Sequence, residues 1–357
     1  EQYLLAGYPW FKVRARDQFI SLPGCTLAVD RVDDFEKIMD TAIVQIKSEM
    51  DGKPLNGLLK EIEDPDMALW AIWALQQFAK ERPEQFQNKY ADIVIEIIEY
   101  ILNNKHWNLR VDPDNGLLYT NGHRKPVSWM NAKLDGRPVI PRSGYLVEFN
   151  ALWYNTLKFG EEIYRAKGYK MMENQLSQKS DLVKESFTSV FLNSSGYLFD
   201  FVDGAHSDWS LRPNMLFAVS LDHSPLEKHR QKSIVDFATK ELLTTIGIRS
   251  LSPKDDKYKP YFSSNHREKE FNYFNGPAFP WLLGAYIEAY LKVYKHSGLS
   301  LVDRIMVDID NEMSNDCIGS ISELYDSSPP FIAHGAYSFA MSVAEILRAI
   351  KLMKEYR

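Results

Sequence analysis

The sequence predicts an all-α fold in which paired helices form an α/α toroid. Apolar residues recur at i, i+3, i+4 and i+7 in many windows, whereas convincing alternating strand patterns are few. Four long loops interrupt the helical pattern, at 105–145, 194–211, 247–278 and 315–336. Loops of this length inside a compact helical domain are commonly functional. We therefore expect inner helices to surround a funnel whose mouth is lined by these loops.

The helical periodicity predicts eleven helices, which in chain order cover 18–30, 34–50, 66–81, 86–104, 146–167, 171–192, 212–221, 226–243, 279–296, 299–314 and 337–355. Short hairpins are expected near 116–119 and 196–200, where a glycine stands beside or close to an aromatic residue. No tandem repeat accompanies the helices, so any symmetry of the toroid is structural only. We expect residues 1–357 to form a single domain, and an upstream accessory domain to be missing.

The composition is that of a globular protein with a surplus of aromatic residues. Apolar residues make up 45% of the chain and Trp, Tyr and Phe together 13%, which is more than a simple core needs. A net charge of -6 argues against a nucleic-acid partner. The two cysteines, Cys25 and Cys317, make a disulfide framework unexpected and favour a reducing compartment. Neither a secretion signal nor a membrane-spanning run is present, so we expect a cytoplasmic protein without a membrane partner.

The first candidate site lies at the start of the chain. The stretch Gly7–Phe11 carries Tyr8 and Trp10, and Arg16 and Asp17 follow shortly after it. Flat aromatic faces suit the C–H surfaces of a sugar ring, and an Arg/Asp pair can bind its hydroxyl groups through charge-assisted hydrogen bonds. An aromatic plug that closes the core explains these residues equally well.

Further polar and aromatic motifs follow in the predicted loops and at helix starts. In chain order the series reads Gly7-Tyr8-Pro9-Trp10-Phe11, Arg16-Asp17, Asp66-Met67-Ala68-Leu69-Trp70, Ser128-Trp129-Met130-Asn131-Ala132-Lys133, Pro141-Arg142 with Val147–Asn155, Leu211-Arg212-Pro213-Asn214, Gly276–Gly284 and Gly319–Asp326. This series resembles the amylo-1,6-glucosidase domain of glycogen debranching enzymes, from Ala6 to about Ala349. One such motif would be a weak signal, but eight in the family's order are a strong one.

The resemblance implies a six-fold α/α barrel, (alpha/alpha)6, related in architecture to glucoamylases. It implies an α-glucan substrate, namely the single α-1,6-linked glucose at a glycogen branch stub, with water as the nucleophile and inversion at the anomeric carbon. It implies no cofactor. Inversion needs a protonated carboxyl and an ionised one at roughly 6.5–9.5 Å from each other, so that water fits between base and sugar.

Glu323, in Ile321-Ser322-Glu323-Leu324, matches the general base of the family. A carboxylate that caps a helix is the structural alternative for an isolated glutamate. Asp326 is the nearest competitor, but its place just before Ser328-Pro329-Pro330 is more typical of a turn.

The position of the general acid is occupied by Asn131, where the family has an aspartate. An amide has no proton to give at ordinary pH. Three explanations compete: an inactivating substitution, a natural change in which Asp135 or Glu148 supplies the proton, or a protein that binds glycan without hydrolysing it. Asp135 precedes Gly136 in a turn signal, so a structural role is expected for it.

The resemblance also assigns a set of sugar-binding residues. Arg16 and Asp17 correspond to the pair that holds the terminal glucose, although Arg14 stands where the family often has tryptophan. The other candidates for substrate binding are Tyr8, Trp10, Asp66, Trp129, Glu148, Asn150, Asp208, Arg212, Asn214 and Trp281. The histidines lack metal-ligand spacing. A non-catalytic glycan-binding protein and a related α-glucosidase, such as a trehalase-like enzyme, are the competing functions.

Overall fold

The structure, a computed structural model, describes residues 1–263, 265–315 and 319–357. Cys317, one of the two cysteines, lies outside these ranges. Helices dominate, and their bounds are α1 Ala15–Cys25, α2 Val32–Met50, α3 Met67–Glu81, α4 Pro83–Lys89, α5 Ala91–Leu102, α6 Val147–Ala166, α7 Lys170–Phe191, α8 Phe217–Ser220, α9 Lys228–Glu241, α10 His266–Asn272, α11 Leu282–Tyr294, α12 Leu299–Glu312 and α13 Ala340–Tyr356.

Six of these helices close into an inner ring. Each packs against the next in the order α1, α3, α6, α8, α11 and α13, and α13 packs back against α1. Most residues of the first five inner helices are buried, and in α1 every residue from Ala15 to Gly24 is buried. After each of the first five inner helices the chain continues with an outer helix: α2, α7, α9 and α12 follow α1, α6, α8 and α11. After α3 it continues with the pair α4 and α5. This is the predicted α/α toroid.

The outer helices bury only one face. In α2 the buried residues include Phe35, Ile38, Met39, Ala42 and Ile46, which recur with the spacing of a helical stripe. Close approach of the inner helices depends on small residues. A Cβ atom added at Gly24 of α1 would lie 1.9 Å from the carbonyl oxygen of Ala344 in α13.

Within the described residues the strands are short and antiparallel, and they form four small sheets. Their bounds are β1 Gly7–Tyr8, β2 Arg110–Val111, β3 Leu118–Thr120, β4 Lys133–Leu134, β5 Arg137–Pro138, β6 Gly144–Leu146, β7 Phe201–Asp203, β8 His206–Ser207, β9 Ile248–Arg249, β10 Ala278–Phe279, β11 Leu324–Tyr325, β12 Ala333–His334 and β13 Ser338–Phe339. The sheet orders are β2-β3-β6-β7-β8, β12-β11-β10-β9, β1-β13 and β4-β5. Because β1, β6, β10 and β13 run into inner helices, the strands cluster at the amino-terminal end of the ring.

Most predicted helices are present within a few residues, and three differ. The helix expected at 86–104 is divided into α4 and α5 at Tyr90. The one expected at 212–221 is a 3₁₀ turn, Pro213–Leu216, followed by the short α8. The one expected at 18–30 begins earlier, at Ala15, so that Arg16 and Asp17 lie inside α1.

The loop predicted at 247–278 contains a helix that the periodicity missed, α10, and the strand β9. The hairpin expected near 116–119 is present as β2–β3, and the hairpin expected near 196–200 lies slightly later as β7–β8. These strands of two or three residues are too short for an alternating pattern to identify them.

Candidate active site

A cavity of about 890 Å³ opens at the amino-terminal end of the helical ring. Its wall is built from the segments that lead into inner helices and from the first turns of those helices, together with parts of the long loops 247–278 and 315–336. The residues that line it are Trp10, Phe11, Arg14, Arg16, Asp17, Glu61, Trp129, Asn131, Ala132, Lys133, Phe262, His266, Lys269, Glu270, Tyr273, Phe274, Phe279, Trp281, Glu323, Ala333, His334, Gly335, Tyr337, Phe339 and Met341.

Glu323 is a buried carboxyl in this wall, immediately before β11. Its Oε2 accepts a hydrogen bond of 3.1 Å from the backbone N–H of Ala336, and its Oε1 accepts one from the hydroxyl of Tyr273. Burial outweighs these two donors and raises the pKa of Glu323 from 4.5 to about 7, and the nearby carboxylate of Asp17 adds to the rise. The group therefore changes its charge close to neutral pH.

Asp17 and Arg16 occupy the first turn of α1, where both side chains are buried against the cavity. Arg16 binds Asp66 through two hydrogen bonds of 2.8 Å each and Asp64 through one of 3.2 Å. Burial raises the pKa of Asp17 to about 6, although the charges of Arg14 and Arg16 oppose the rise. Asp66 does not line the cavity; it fixes the guanidinium of Arg16.

Trp129 forms an aromatic wall of the cavity. Its ring lies edge-on to Phe274, Phe279 and Trp281, with 5.2 Å between ring centroids in each case. Its indole Nε1 donates a hydrogen bond of 2.7 Å to Oδ1 of Asn214. Asn214 is fully buried outside the cavity lining, so it orients the tryptophan from behind.

Asn131 lines the same cavity, two residues after Trp129, in the place where the sequence predicted the general acid. The carboxyls that the sequence offered as substitutes do not reach this cavity. Asp135 lies in the turn between β4 and β5 with its side chain 79% exposed, paired with Arg267 at 3.4 Å. Glu148 is 2% exposed and bonded to the guanidinium of Arg142.

Besides Asp66, Asn214 and Tyr8, four more residues predicted to bind substrate lie outside the cavity lining, and their polar atoms are bonded to other parts of the protein. Glu148 pairs with Arg142. Asn150 bonds both the N–H and the carbonyl of Leu118, at 2.7 and 3.1 Å, and so holds β3 on α6. Arg212 donates to the carbonyl oxygens of Phe274 and Ser250 at 2.6 and 3.1 Å and to Oδ1 of Asn275 at 3.0 Å, and Asp208 accepts from the N–H of Ser210 at 2.8 Å. Arg212 thereby holds Phe274 of the cavity wall, whereas the other three residues contact segments outside the lining.

Tyr8 and Trp10, the residues of the first motif that were predicted to bind substrate, have different surroundings in the structure. Trp10 is 64% exposed at the cavity mouth, whereas Tyr8 is exposed on β1 and does not line the cavity. Asp326, the competitor of Glu323, is also outside the lining: its Oδ1 lies 2.9 Å from Nε2 of His334 and accepts from the N–H of Phe262 at 2.7 Å.

Tyr273 and Glu61 line the wall although no sequence motif pointed to them, and Arg14 lines it at a position where the family often has tryptophan. Tyr273 stands three residues before the Gly276 motif, and that proximity was its only signal. Glu61 belongs to the segment before α3 and has a left-handed backbone, with φ of 63°. Glutamate rarely adopts this conformation, which is enriched at functional sites. Arg14 lines the cavity with its guanidinium 4.3 Å from the centroid of the Phe11 ring.

The described residues contain neither a cluster of metal-ligating side chains nor a helix that could span a membrane. Across residues 1–263, 265–315 and 319–357, no group of three or more His, Cys, Asp or Glu side chains could hold a metal ion. In the same ranges, no helix is both long and apolar enough to cross a membrane.

Solved structures share this architecture. A mannosylglycerate hydrolase from Thermus thermophilus aligns over 97% of this chain and 95% of its own, with a TM-score of 0.65 and 12% identity. An uncharacterized conserved protein from the same organism has the same coverage, a TM-score of 0.67 and 12% identity. A rhamnosidase of Bacillus sp. GL1 aligns over 86% of this chain and 29% of its own, with a TM-score of 0.58 and 13% identity. At these identities the likeness establishes the helical fold.

The fold, with its carboxyl-lined cavity, and the family comparison together define a glycoside hydrolase. The model of the amylo-alpha-1,6-glucosidase family matches residues 1–348, and the chain belongs to this family. The glycogen debranching enzyme of Saccharomyces cerevisiae is 24% identical over an alignment 240 residues long that covers 54% of this chain and 15% of the yeast protein. The chain therefore matches only a small part of that relative's length.

Proposed function

We propose that this chain removes α-1,6-linked glucose from the branch stubs of glycogen or a similar α-glucan, by inverting hydrolysis in the cytoplasm. The observation that carries the proposal is Glu323, a buried carboxyl in the wall of a cavity that also holds Asp17, Trp129 and Trp281. Membership of the amylo-alpha-1,6-glucosidase family supports the linkage. The terminal glucose would lie against the tryptophans, with its hydroxyl groups bound by Arg16 and Asp17.

In this mechanism Glu323 is the general base. It takes a proton from the water that attacks the anomeric carbon, and it can do so only when ionised. Since its pKa is about 7, the rate should rise as the pH increases through neutrality. Replacement by glutamine removes the base and is expected to lower kcat by about 10²–10⁴-fold.

The reaction lacks a general acid at the expected position. The amide of Asn131 cannot protonate the leaving glycosidic oxygen, and the carboxyls of Asp135 and Glu148 lie outside the cavity. We therefore propose slow hydrolysis by the protein as it stands. Asn131→Asp restores a carboxyl at this position and is expected to raise kcat by about 10²–10⁴-fold.

The test measures free glucose from a cyclodextrin that carries one α-1,6-linked glucosyl branch, with the unchanged protein, Asn131→Asp and Glu323→Gln. Trehalose and maltose serve as linkage controls. We expect the highest rate with Asn131→Asp, and β-glucose as the first product by proton NMR. If Asn131→Asp releases no glucose from the branched substrate, or prefers trehalose, the proposal fails.

A second function, glycan binding without hydrolysis, is favoured by one observation: an amide, Asn131, lines the cavity where the family resemblance places the general acid. This alternative predicts binding of maltooligosaccharides that persists in Glu323→Gln. It also predicts that neither the unchanged protein nor Asn131→Asp turns over any substrate. Calorimetric titration with a branched oligosaccharide, beside the glucose assay, separates the two functions.

A further inference from the structure

We propose that Tyr273 is the positioning residue of Glu323: its hydroxyl holds the carboxylate in the orientation needed to take a proton from water. The proposal deepens the function proposed above and rests on it only for the role of Glu323 as base. Tyr273 follows α10, in a loop that the sequence analysis expected to be irregular throughout. No prediction from the sequence pointed to this residue.

The geometry gives each carboxylate oxygen of Glu323 its own donor. The hydroxyl of Tyr273 donates to Oε1, and the backbone N–H of Ala336 donates to Oε2 at 3.1 Å. Two donors on two oxygens fix the plane of the carboxylate. On the remaining side, Gly335 approaches so closely that an added Cβ would lie 2.3 Å from Oε2.

Tyr273 is itself held rigidly. Its ring packs against Phe274, Phe262 and Phe279, with centroid distances of 4.8, 5.3 and 6.2 Å. Burial and the facing charge of Glu323 raise the pKa of the phenol well above its usual value, so the hydroxyl keeps its proton and donates a hydrogen bond to Glu323 whenever that carboxyl is ionised. Loss of the hydroxyl removes one hydrogen bond without changing the shape of the packed ring.

The charges around Glu323 determine the direction of the effect. Burial and the carboxylate of Asp17 raise its pKa, whereas Tyr273, the N–H of Ala336 and the guanidinium of Arg14 lower it. Removing the Tyr273 hydroxyl withdraws one of the three lowering influences. The pKa of Glu323 should therefore rise further, and the base should become ionised only at a higher pH.

The test compares Tyr273→Phe with Tyr261→Phe. Tyr261 is a suitable control because it is half exposed and its hydroxyl donates to the carbonyl of Pro329 at 3.3 Å, away from Glu323. The pKa of Glu323 is measured by carbon NMR on protein labelled at the glutamate carboxyl carbons. Glu323→Gln identifies the resonance by its absence.

In Tyr273→Phe we expect the pKa of Glu323 to rise by about one unit, as expected for loss of a hydrogen bond to a charged group, and in Tyr261→Phe to stay unchanged. In the glucose assay, run with the Asn131→Asp background, the acidic limb of the pH–rate profile should move up with it. At neutral pH kcat should fall while KM stays nearly constant.

An unchanged pKa of Glu323 in Tyr273→Phe would overturn the proposal, as would an equal shift in the control. The NMR titration needs neither substrate nor turnover. Failure to release glucose would therefore count against the proposed hydrolysis, and only the titration decides the role of Tyr273.

Discussion

Glu323→Gln should become more stable, relative to the unchanged protein, as the pH rises. Glutamine keeps the shape of the side chain and removes its ionisation. The pKa of Glu323 is about 7 in the folded protein against 4.5 in an unperturbed chain. Because the folded value is the higher one, the unfolded chain releases the proton first. The contribution of Glu323 to stability is therefore complete below its unfolded pKa and is lost as the pH rises through its folded pKa.

The size of this effect follows from the difference between the two pKa values. A difference of about 2.5 units corresponds to about 3 kcal/mol of free energy of unfolding. A chain of 357 residues has a large entropy of unfolding, at about 2.1 cal/mol/K per residue. The free-energy difference therefore corresponds to a change of about 4 °C in Tm.

Thermal unfolding of both proteins from about pH 4 to about pH 8 measures the effect across the window set by the two pKa values. We expect the Tm of Glu323→Gln to exceed that of the unchanged protein by about 4 °C more at the upper end than at the lower end. Asp135→Asn is the control, since it removes an exposed carboxylate whose only ion pair in the described residues is with Arg267. A Tm difference between Glu323→Gln and the unchanged protein that is constant over this range would refute the reasoning.

Three further predictions concern the cavity and the ring. Asn214→Ala leaves the buried Nε1 of Trp129 without its acceptor and should lower the free energy of unfolding by about 1–3 kcal/mol in urea titrations; no loss would contradict the role of Asn214. Trp10→Ala, at an exposed position, should keep Tm and weaken oligosaccharide binding by about 1 kcal/mol, or about fivefold in Kd by calorimetry; an unchanged Kd excludes it as a stacking surface. Gly24→Ala forces a Cβ against the carbonyl oxygen of Ala344 and should cost about 2 kcal/mol or more, which an unchanged Tm would disprove.

Helices were predictable because their burial is periodic. The outer helix α2 repeats its apolar residues along one face, and its predicted range, 34–50, differs from the observed one by only two residues at its start. Inner helices such as α1 are buried all round, so their boundaries lack this contrast and the prediction began three residues late. Strands of two or three residues provide too few positions for any period, which is why the five-stranded sheet β2-β3-β6-β7-β8 was not foreseen.

The candidate site was predictable in outline and less so residue by residue. Of the predicted residues, Asn131, Trp129, Trp281 and Glu323 line the cavity together with Arg16, Asp17 and Trp10. A linear pattern cannot distinguish a polar residue that faces a cavity from one whose polar atoms are bonded within the fold. The amide of Asn150 illustrates this, since it is buried and pairs with a strand.

Glu61, Glu270 and Tyr273 illustrate the converse case. They lie outside the polar and aromatic sequence motifs, and only the folding of their loops brings them to the cavity. Their side chains carry ordinary acidic or phenolic groups that occur many times in the chain. Apart from the proximity of Tyr273 to the Gly276 motif, nothing in their immediate sequence distinguishes them from surface residues of the same type.

The charge of the cavity links the substitution at position 131 to the behaviour of the other carboxyls. Asp17 and Glu323 already have raised pKa values because the wall that holds them is buried. Asn131→Asp would add a carboxyl to the same cavity, whose wall already carries Asp17, Glu61, Glu270 and Glu323. Desolvation and like charges both raise a carboxyl pKa, and a general acid needs a raised pKa to keep its proton near neutral pH. The environment that raises the pKa of Glu323 would therefore also raise the pKa of an aspartate at position 131. Such an aspartate would keep its proton near neutral pH and could act as the acid.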